Sequence, residues 1–355
     1  MHQCLESINS IYIEKQDYKG YNVKPCCLYN NRGNKYRVEN IKDIIDNPYI
    51  KEIQDNFTKD WRRPECNACV VKENINLKSR RLKSLETGYK GIVNWDIRPG
   101  NTCNLKCAMC NFSNSSKWIE DIDVLKKYKN LDINASTREN LDWKWIYENC
   151  IDKAEKIYIA GGEPFYMKNV HKFLKNLSSS DWNTKNTEIM IQTNGISNTP
   201  KFLEILSKFK KLSFSISIDG WGSVNELIRF PTKHDEVLKG ASELYNLDCK
   251  SVVFNITVQA MNLPNIDTLV NELHNYGRCA YDIHKLVKPT YLAVNCLKPK
   301  VVKNVLKHTK VKELRAFYRG YKFDEAQNKI MQNYLLDLDR KRGTDSKKII
   351  PWCFV

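Results

Sequence analysis

Three cysteines, Cys103, Cys107 and Cys110, lie in the segment CNLKCAMC at the spacing C-x3-C-x2-C. Three thiolates on one short loop suit three irons of a cubane iron–sulfur cluster, whose usual complement is four cysteines. A cluster with three protein ligands leaves one iron open to a substrate or cofactor. Tetrahedral zinc wants four ligands, typically in C-x2-C pairs, so this triplet points to cluster chemistry. A second set, Cys4, Cys26 with Cys27, and Cys66 with Cys69, offers five thiols for a site of four. The chain has 13 cysteines. An odd number in tight local groups argues for ligation and against a disulfide framework. The isolated Cys150, Cys249, Cys279, Cys296 and Cys353 read as small buried hydrophobes.

From residue 91 the chain repeats a short apolar run, a turn-rich segment and a helical stretch. The runs at 92–97, 156–160, 188–192, 212–218, 252–258 and 290–294 are rich in Val, Ile, Phe and Tyr and are bounded by Gly, Asn, Asp or Pro. They are nearly continuous in apolar character, as expected of parallel strands covered on both faces. Helix-like spacing occupies 170–177, 200–209, 236–245 and 266–276. Six strands alternating with helices predict an α/β array with right-handed crossovers and its functional groups just after the strands. The polar motifs fall there. The first strand leads to the cysteine triplet, the second to Gly161-Gly162-Glu163-Pro164, the third to Thr193-Asn194-Gly195 and the fourth to Ser217-Ile218-Asp219-Gly220. Gln259 and Asn262 follow the fifth.

The triplet, with the apolar Met109 before its last cysteine, resembles that of the radical SAM superfamily. Gly161-Gly162-Glu163-Pro164 resembles the family's GGEP motif and Ser217-Ile218-Asp219-Gly220 its SIDG segment. Together these motifs cover residues 91–300. The resemblance implies a partial (β/α)6 barrel. It also implies a 4Fe-4S cluster on Cys103, Cys107 and Cys110 that reductively cleaves S-adenosylmethionine to a 5′-deoxyadenosyl radical. That radical takes hydrogen from the substrate. The family's cofactor contacts then fall on Met109, Gly161, Gly162, Glu163, Pro164, Asn194, Ser217, Asp219, Arg229 and Thr257, with Gln259 a weaker candidate. Two of these carry alternatives: Asp219 can cap the following turn, and Arg229 can pair with Glu226 at i−3. Cys296, just past the last strand, is either a hydrogen-atom donor or a buried structural thiol.

Residues 1–90 hold the second cysteine set, a short helical turn at 41–45 and a helix at 48–57 with Pro48 in its first turn. Pro25-Cys26-Cys27, the glycine-bearing 30–34, Trp61-Arg62 and the Cys66/Cys69 pair resemble the small auxiliary-cluster domains called SPASM or Twitch. Such a domain ordinarily follows the barrel, and here it precedes it. The implied ligands of a second 4Fe-4S cluster are Cys4, Cys26, Cys66 and Cys69, with Cys27 as substitute for Cys26. Structural zinc on the same thiols is the alternative. The expected organisation is a small cysteine-rich α+β domain over 1–90, the partial barrel over 91–299 and C-terminal helices over 300–355.

The 57 Lys and Arg against 41 Asp and Glu give a net charge of +16. That balance favours anionic partners, although the basic residues are scattered through 78–83, 126–129 and 298–312 without an aromatic-interleaved motif. No apolar run reaches the roughly 18–20 residues of a membrane span, and the N-terminus lacks the pattern of a signal peptide. A cytoplasmic enzyme without membrane association is expected. Its electron donor would be a flavodoxin or ferredoxin, and its substrate bulky: a peptide or protein first, a nucleoside, nucleic acid or sugar as alternative. A non-enzymatic zinc protein binding nucleic acid is the distant third reading. The six histidines form no cluster.

Overall fold

The computed structural model describes residues 3–15, 20–29, 37–60, 62, 64–74, 76–86, 88, 91–128, 141–180, 186–277 and 280–355. The expected features at 30–34, Trp61 and Cys279 lie outside the described residues. The chain divides into two units. The first holds Met1–Thr102, Ser136–Gln192 and Lys201–Ser213; the second holds Cys103–Ala135, Thr193–Pro200 and Phe214–Val355.

The class is α/β, with nine strands among the described residues. They are β1 (Ser10–Lys15), β2 (Tyr21–Lys24), β3 (Arg37–Val38), β4 (Asn94–Arg98), β5 (Lys156–Ile159), β6 (Glu188–Thr193), β7 (Leu212–Ser217), β8 (Ser251–Val258) and β9 (Ala280–Lys285). In the first unit the order is β3-β2-β1-β4-β5-β6. β2 is antiparallel to both β1 and β3. β1, β4, β5 and β6 are parallel. The N-terminal strands thus extend the sheet that starts the β/α repeat.

Register aligns Lys24, Tyr12, Asp96, Tyr158 and Met190 in one row across five strands. The period-2 pleat then separates two faces. Ile11, Ile13, Trp95, Ile97, Ile157, Ile159, Ile189 and Ile191 are all buried on one. The other is polar. Asp96 pairs with Arg98 at 2.9 Å, and the Arg98 guanidinium lies 5.4 Å from the Tyr12 ring and 5.0 Å from that of Tyr158. The expectation of strands apolar on both sides is corrected here. Only β7 is buried along its whole length, while β6 and β8 alternate.

In the second unit β8 and β9 are parallel, with six residues in register. The sixth strand of the repeat is therefore β9, and the strand expected at 290–294 is corrected to two 3-10 turns, Thr290–Leu292 and Val294–Cys296. In these turns Tyr291, Leu292, Val294 and Cys296 are all buried, so the apolar run serves the core without pairing as a strand. The helices expected after 300 are present as Pro299–His308, Lys312–Phe317 and Glu325–Arg342. The last starts with Asp324 accepting from Gln327 N–H and ends at Gly343, whose φ of 66° supplies the left-handed cap. No described helix is long and apolar enough to cross a membrane.

Candidate active site and cysteine-lined cavity

β4 delivers the chain to the cysteine loop, and the loop is held from several sides. Lys106 N–H donates to the Phe230 carbonyl at 2.8 Å and Ala108 N–H to the Ile228 carbonyl at 2.7 Å. Cys107 and Arg229 therefore sit opposite each other between two backbone bonds. Cys110 N–H closes a turn on the Cys107 carbonyl at 2.9 Å, and that carbonyl also accepts from Trp118 Nε1 at 3.1 Å. Tyr334, fully buried on the last long helix, donates to the Ala108 carbonyl at 2.7 Å. Asn104 donates to Ser197 at 2.9 Å and accepts from Asn194 Nδ2 at 2.8 Å.

The lysine inside the triplet is also committed. Lys106 Nζ lies 2.8 Å from Asp121, which pairs at 2.8 Å with Arg342. The Arg342 guanidinium lies over Trp118 at 4.6 Å and Phe230 at 5.1 Å. Such a pair of buried cations on one carboxylate is costly to break, so this node fixes the loop against the end of the C-terminal helix. None of Asn104, Trp118, Asp121, Ser197, Tyr334 or Arg342 stood out in the sequence. Their partners are remote, and no periodic signal links them.

Cys107 is 6% exposed, and Cys103 and Cys110 are half-buried. The neighbouring Cys110 thiol and burial push the Cys107 thiol up, while Arg229 pulls the other way. A bound iron reverses this balance, since a coordinating thiol is deprotonated outright. Three thiols on a loop whose backbone is already fixed fit the three protein ligands of a cluster with one open iron.

Arg229 does not pair with Glu226. Its Nε lies 2.8 Å from Asp219 Oδ2, and Glu226 instead accepts from His234 N–H and lies beside Lys233. Asp219 has no exposed surface. Burial raises its pKa, opposed by Arg229 and by the Thr257 N–H that it accepts at 2.7 Å. Asn262 Nδ2 donates to the carbonyls of Asp219 and Thr257 at 2.7 and 2.9 Å, and its Oδ1 accepts from Gln259 N–H. Asp219 is thus the hub of a buried network at the ends of β7 and β8, in place of the turn cap that the sequence allowed. Both side-chain polar atoms of the buried Gln259 lack protein partners.

The glycine motif acts on the strand-end backbone of the first unit. Gly162 N–H donates to the Gly100 carbonyl at 2.9 Å and Glu163 N–H to that of Thr102 at 2.8 Å. A Cβ on Gly162 would stand 2.3 Å from the Thr102 oxygen, and one on Gly161, at φ 148°, 2.8 Å from the Gly100 oxygen. These contacts require glycine for a close approach to the segment that leads into the cysteine loop. Glu163 is buried and its carboxylate accepts from Phe165 N–H at 2.9 Å, starting the turn that contains Pro164. Ser217 is buried at the end of β7, and Asn194 Oδ1 also accepts from Ile196 N–H.

Met109 lines an open cavity of about 550 Å³ together with Asn111, Tyr128, Lys288, Tyr291 and Gln327, among others. Cys296 is not among its lining residues. Its thiol is fully buried and donates to the Thr290 carbonyl at 3.2 Å.

In the first unit Cys4, Cys26, Cys66 and Cys69 line one small cavity of about 20 Å³, with Phe57 and Arg80 in its wall. Cys4 precedes the helical turn Glu6–Asn9, Cys26 follows β2, Cys66 closes the 3-10 turn Pro64–Cys66, and Cys69 lies in the helix Asn67–Asn74. The adjacent Cys27 is not in this lining; its Sγ accepts from Arg80 Nη1 at 2.9 Å. Burial pushes the Cys27 thiol up to about 11, against the pull of Arg80. Among the described residues no three of His, Cys, Asp or Glu are grouped as ligands of a single metal ion. The four thiols share the lining of one hollow and are not drawn together in it as the ligands of one ion.

Residues 97–271 match the family described as the radical SAM superfamily. Comparison with curated proteins finds no match. Among solved structures, anSMEcpe with bound AdoMet is 18% identical, with 64% of this chain and 59% of that chain covered and a TM-score of 0.44. SuiB of Streptococcus suis bound to S-adenosylmethionine is 14% identical, with 99% and 74% covered and a TM-score of 0.38. SuiB bound to the precursor peptide SuiA is 16% identical, with 99% and 75% covered and a TM-score of 0.38. The chain thus spans about three fifths of the length of anSMEcpe.

Proposed function

We propose, from the radical SAM domain at residues 97–271, that this chain is a radical SAM enzyme holding a 4Fe-4S cluster on Cys103, Cys107 and Cys110. The carrying observation is the cysteine loop itself. Its three thiols stand on a backbone fixed by Ile228, Phe230, Trp118 and Tyr334. When bound, the cluster supplies the electron that cleaves S-adenosylmethionine and so generates a radical able to abstract hydrogen. The protein's part is to hold the loop and shield it. The proposed cofactor contacts are Met109, Gly161, Gly162, Glu163, Pro164, Asn194, Ser217, Asp219, Arg229 and Thr257.

The substrate we propose is a peptide or protein. The cavity beside Met109 supports this reading, because its tyrosines and amides suit the polar backbone and side chains of a bulky ligand. The net charge of +16 favours a second reading, modification of a nucleoside, nucleic acid or sugar. Steep salt dependence of substrate binding would select it. We further propose domains at 1–90, 91–299 and 300–355, a cytoplasmic location, and a flavodoxin or ferredoxin as reductant. The N-terminal thiols would hold an auxiliary 4Fe-4S cluster, with zinc the competing occupant.

The test is anaerobic reconstitution with iron and sulfide, then a dithionite-driven assay for 5′-deoxyadenosine from S-adenosylmethionine. The Cys103, Cys107 and Cys110 triple alanine variant is run alongside. Product from the wild type alone supports the proposal. A folded wild type that gives no product and binds no iron overturns it.

A further inference from the structure

Arg229 and Asp219 form a buried ion pair directly against the cysteine loop. The guanidinium is 12% exposed and the carboxylate not at all, with Nε and Oδ2 2.8 Å apart. The carbonyls on either side of Arg229, those of Ile228 and Phe230, accept from the N–H groups on either side of Cys107. That pairing fixes Arg229 opposite Cys107 whatever its side chain does. The carboxylate is held by Thr257 N–H on Oδ1, and the Asp219 backbone by Asn225 Oδ1, which accepts from Asp219 N–H at 2.9 Å.

A buried ion pair is weak evidence for stability, because desolvation offsets most of its attraction. Apolar residues would fill the same volume at lower cost. Placing one charge of each sign beside the Cys107 thiol has a different consequence. A cluster on three thiolates becomes more negative on one-electron reduction, and its potential responds to net charge nearby. Buried charges are screened far less than exposed ones. The other cations at the loop, Lys106 and Arg342, are joined through Asp121.

We propose that Arg229 and Asp219 tune the reduction potential of the cluster on Cys103, Cys107 and Cys110, Arg229 raising it and Asp219 holding that rise in check. This rests on the cluster reading given above. Neither residue need touch the reacting atoms; they act through the field at the thiolates.

The experiment is a potentiometric titration of the reconstituted full chain, without S-adenosylmethionine. It follows the reduced-cluster signal that the triple alanine variant lacks. Arg229→Gln is expected to lower the potential, so that at the wild-type midpoint the reduced-to-oxidised ratio falls about tenfold, equivalent to about 59 mV for one electron. Asp219→Asn is expected to shift it the opposite way, and Arg229→Lys to leave it near the wild type. A purely structural pair would not give shifts of opposite sign. Asp219→Asn keeps the shape of the side chain and its acceptor for Thr257 N–H, so it decides the matter even where Arg229→Gln does not fold. An Asp219→Asn potential equal to or below that of the wild type overturns the proposal. A wild-type chain that assembles no cluster overturns the site reading and this inference together; an intact cluster indifferent to both charges overturns this inference alone.

Discussion

Tyr334 donates its hydroxyl proton to the carbonyl of Ala108, a residue 226 positions earlier and between two cysteines of the loop. The ring is fully buried and packs against Tyr128 and Tyr291 at centroid distances of 5.2 and 4.9 Å. The last long helix is therefore part of the wall that holds the cysteine loop. Arg342 on the same helix pairs with Asp121, which also holds Lys106, so two residues about two turns apart brace one short segment.

Tyr334→Phe keeps the ring packing and leaves the Ala108 carbonyl without this donor. The expected loss is about 1 kcal/mol, in the range of one net hydrogen bond, measured by denaturant unfolding. The same variant should release iron to a chelator faster than the wild type. Equal release rates would show that the loop does not depend on this contact.

Gly162→Ala forces a Cβ against the Thr102 oxygen and the Asn101 carbonyl carbon, which are backbone atoms that cannot swing aside. A loss of roughly 1–3 kcal/mol is expected, as for an overpacked site. Gly320→Ala is the control, since nothing lies within 4 Å of its added Cβ. Thermal unfolding of the two variants should separate them clearly, and similar melting curves would refute the close-approach argument.

The N-terminal thiols should differ in their effect on metal content. With an auxiliary cluster bound, Cys26→Ala is expected to lower iron by about four per chain, and Cys27→Ala to leave it unchanged. The reason is that Cys26 lines the cavity with Cys4, Cys66 and Cys69, whereas Cys27 faces Arg80. Iron and zinc counts on the two variants check this. Loss of metal in Cys27→Ala alone would reverse the assignment.

Burial lowers the pKa of His171, whose Nε2 donates to the Phe165 carbonyl at 2.9 Å and whose ring stacks on Phe202 at 3.8 Å. Burial also lowers that of His234. A depressed pKa means that the unfolded chain binds more protons near the ordinary histidine value of about 6.5. Stability therefore rises with pH through that region and is lost as pH falls below it. Denaturant midpoints measured at several pH values should show that slope, and His171→Phe should flatten part of it.

The parts legible in the sequence are those that depend on near neighbours. The cysteine triplet, the paired glycines and the Ser217-Ile218-Asp219-Gly220 segment each follow a strand where the apolar runs placed them, at β4, β5 and β7. The helix starting at Pro48 was equally readable, because a proline in the first turn is a local signal. The run at 290–294 misled for the same reason in reverse. A short apolar stretch looks alike as a strand or as a buried turn, and packing decides between them.

Charge partners lay beyond that reach. Spacing along a helix offered Arg229 a partner at Glu226, yet the folded chain pairs it with Asp219, ten residues back and on the end of a strand. The Cys26-Cys27 dipeptide offered a ligand and its substitute, and the turn after β2 sends Cys26 to the cysteine-lined cavity and Cys27 to Arg80. Residue types and short spacings carry the chemistry, because backbone geometry over a few residues follows from local sterics and hydrogen bonding. Which charge meets which thiol depends on segments that approach only after the chain has folded, and no periodicity in the sequence encodes that approach.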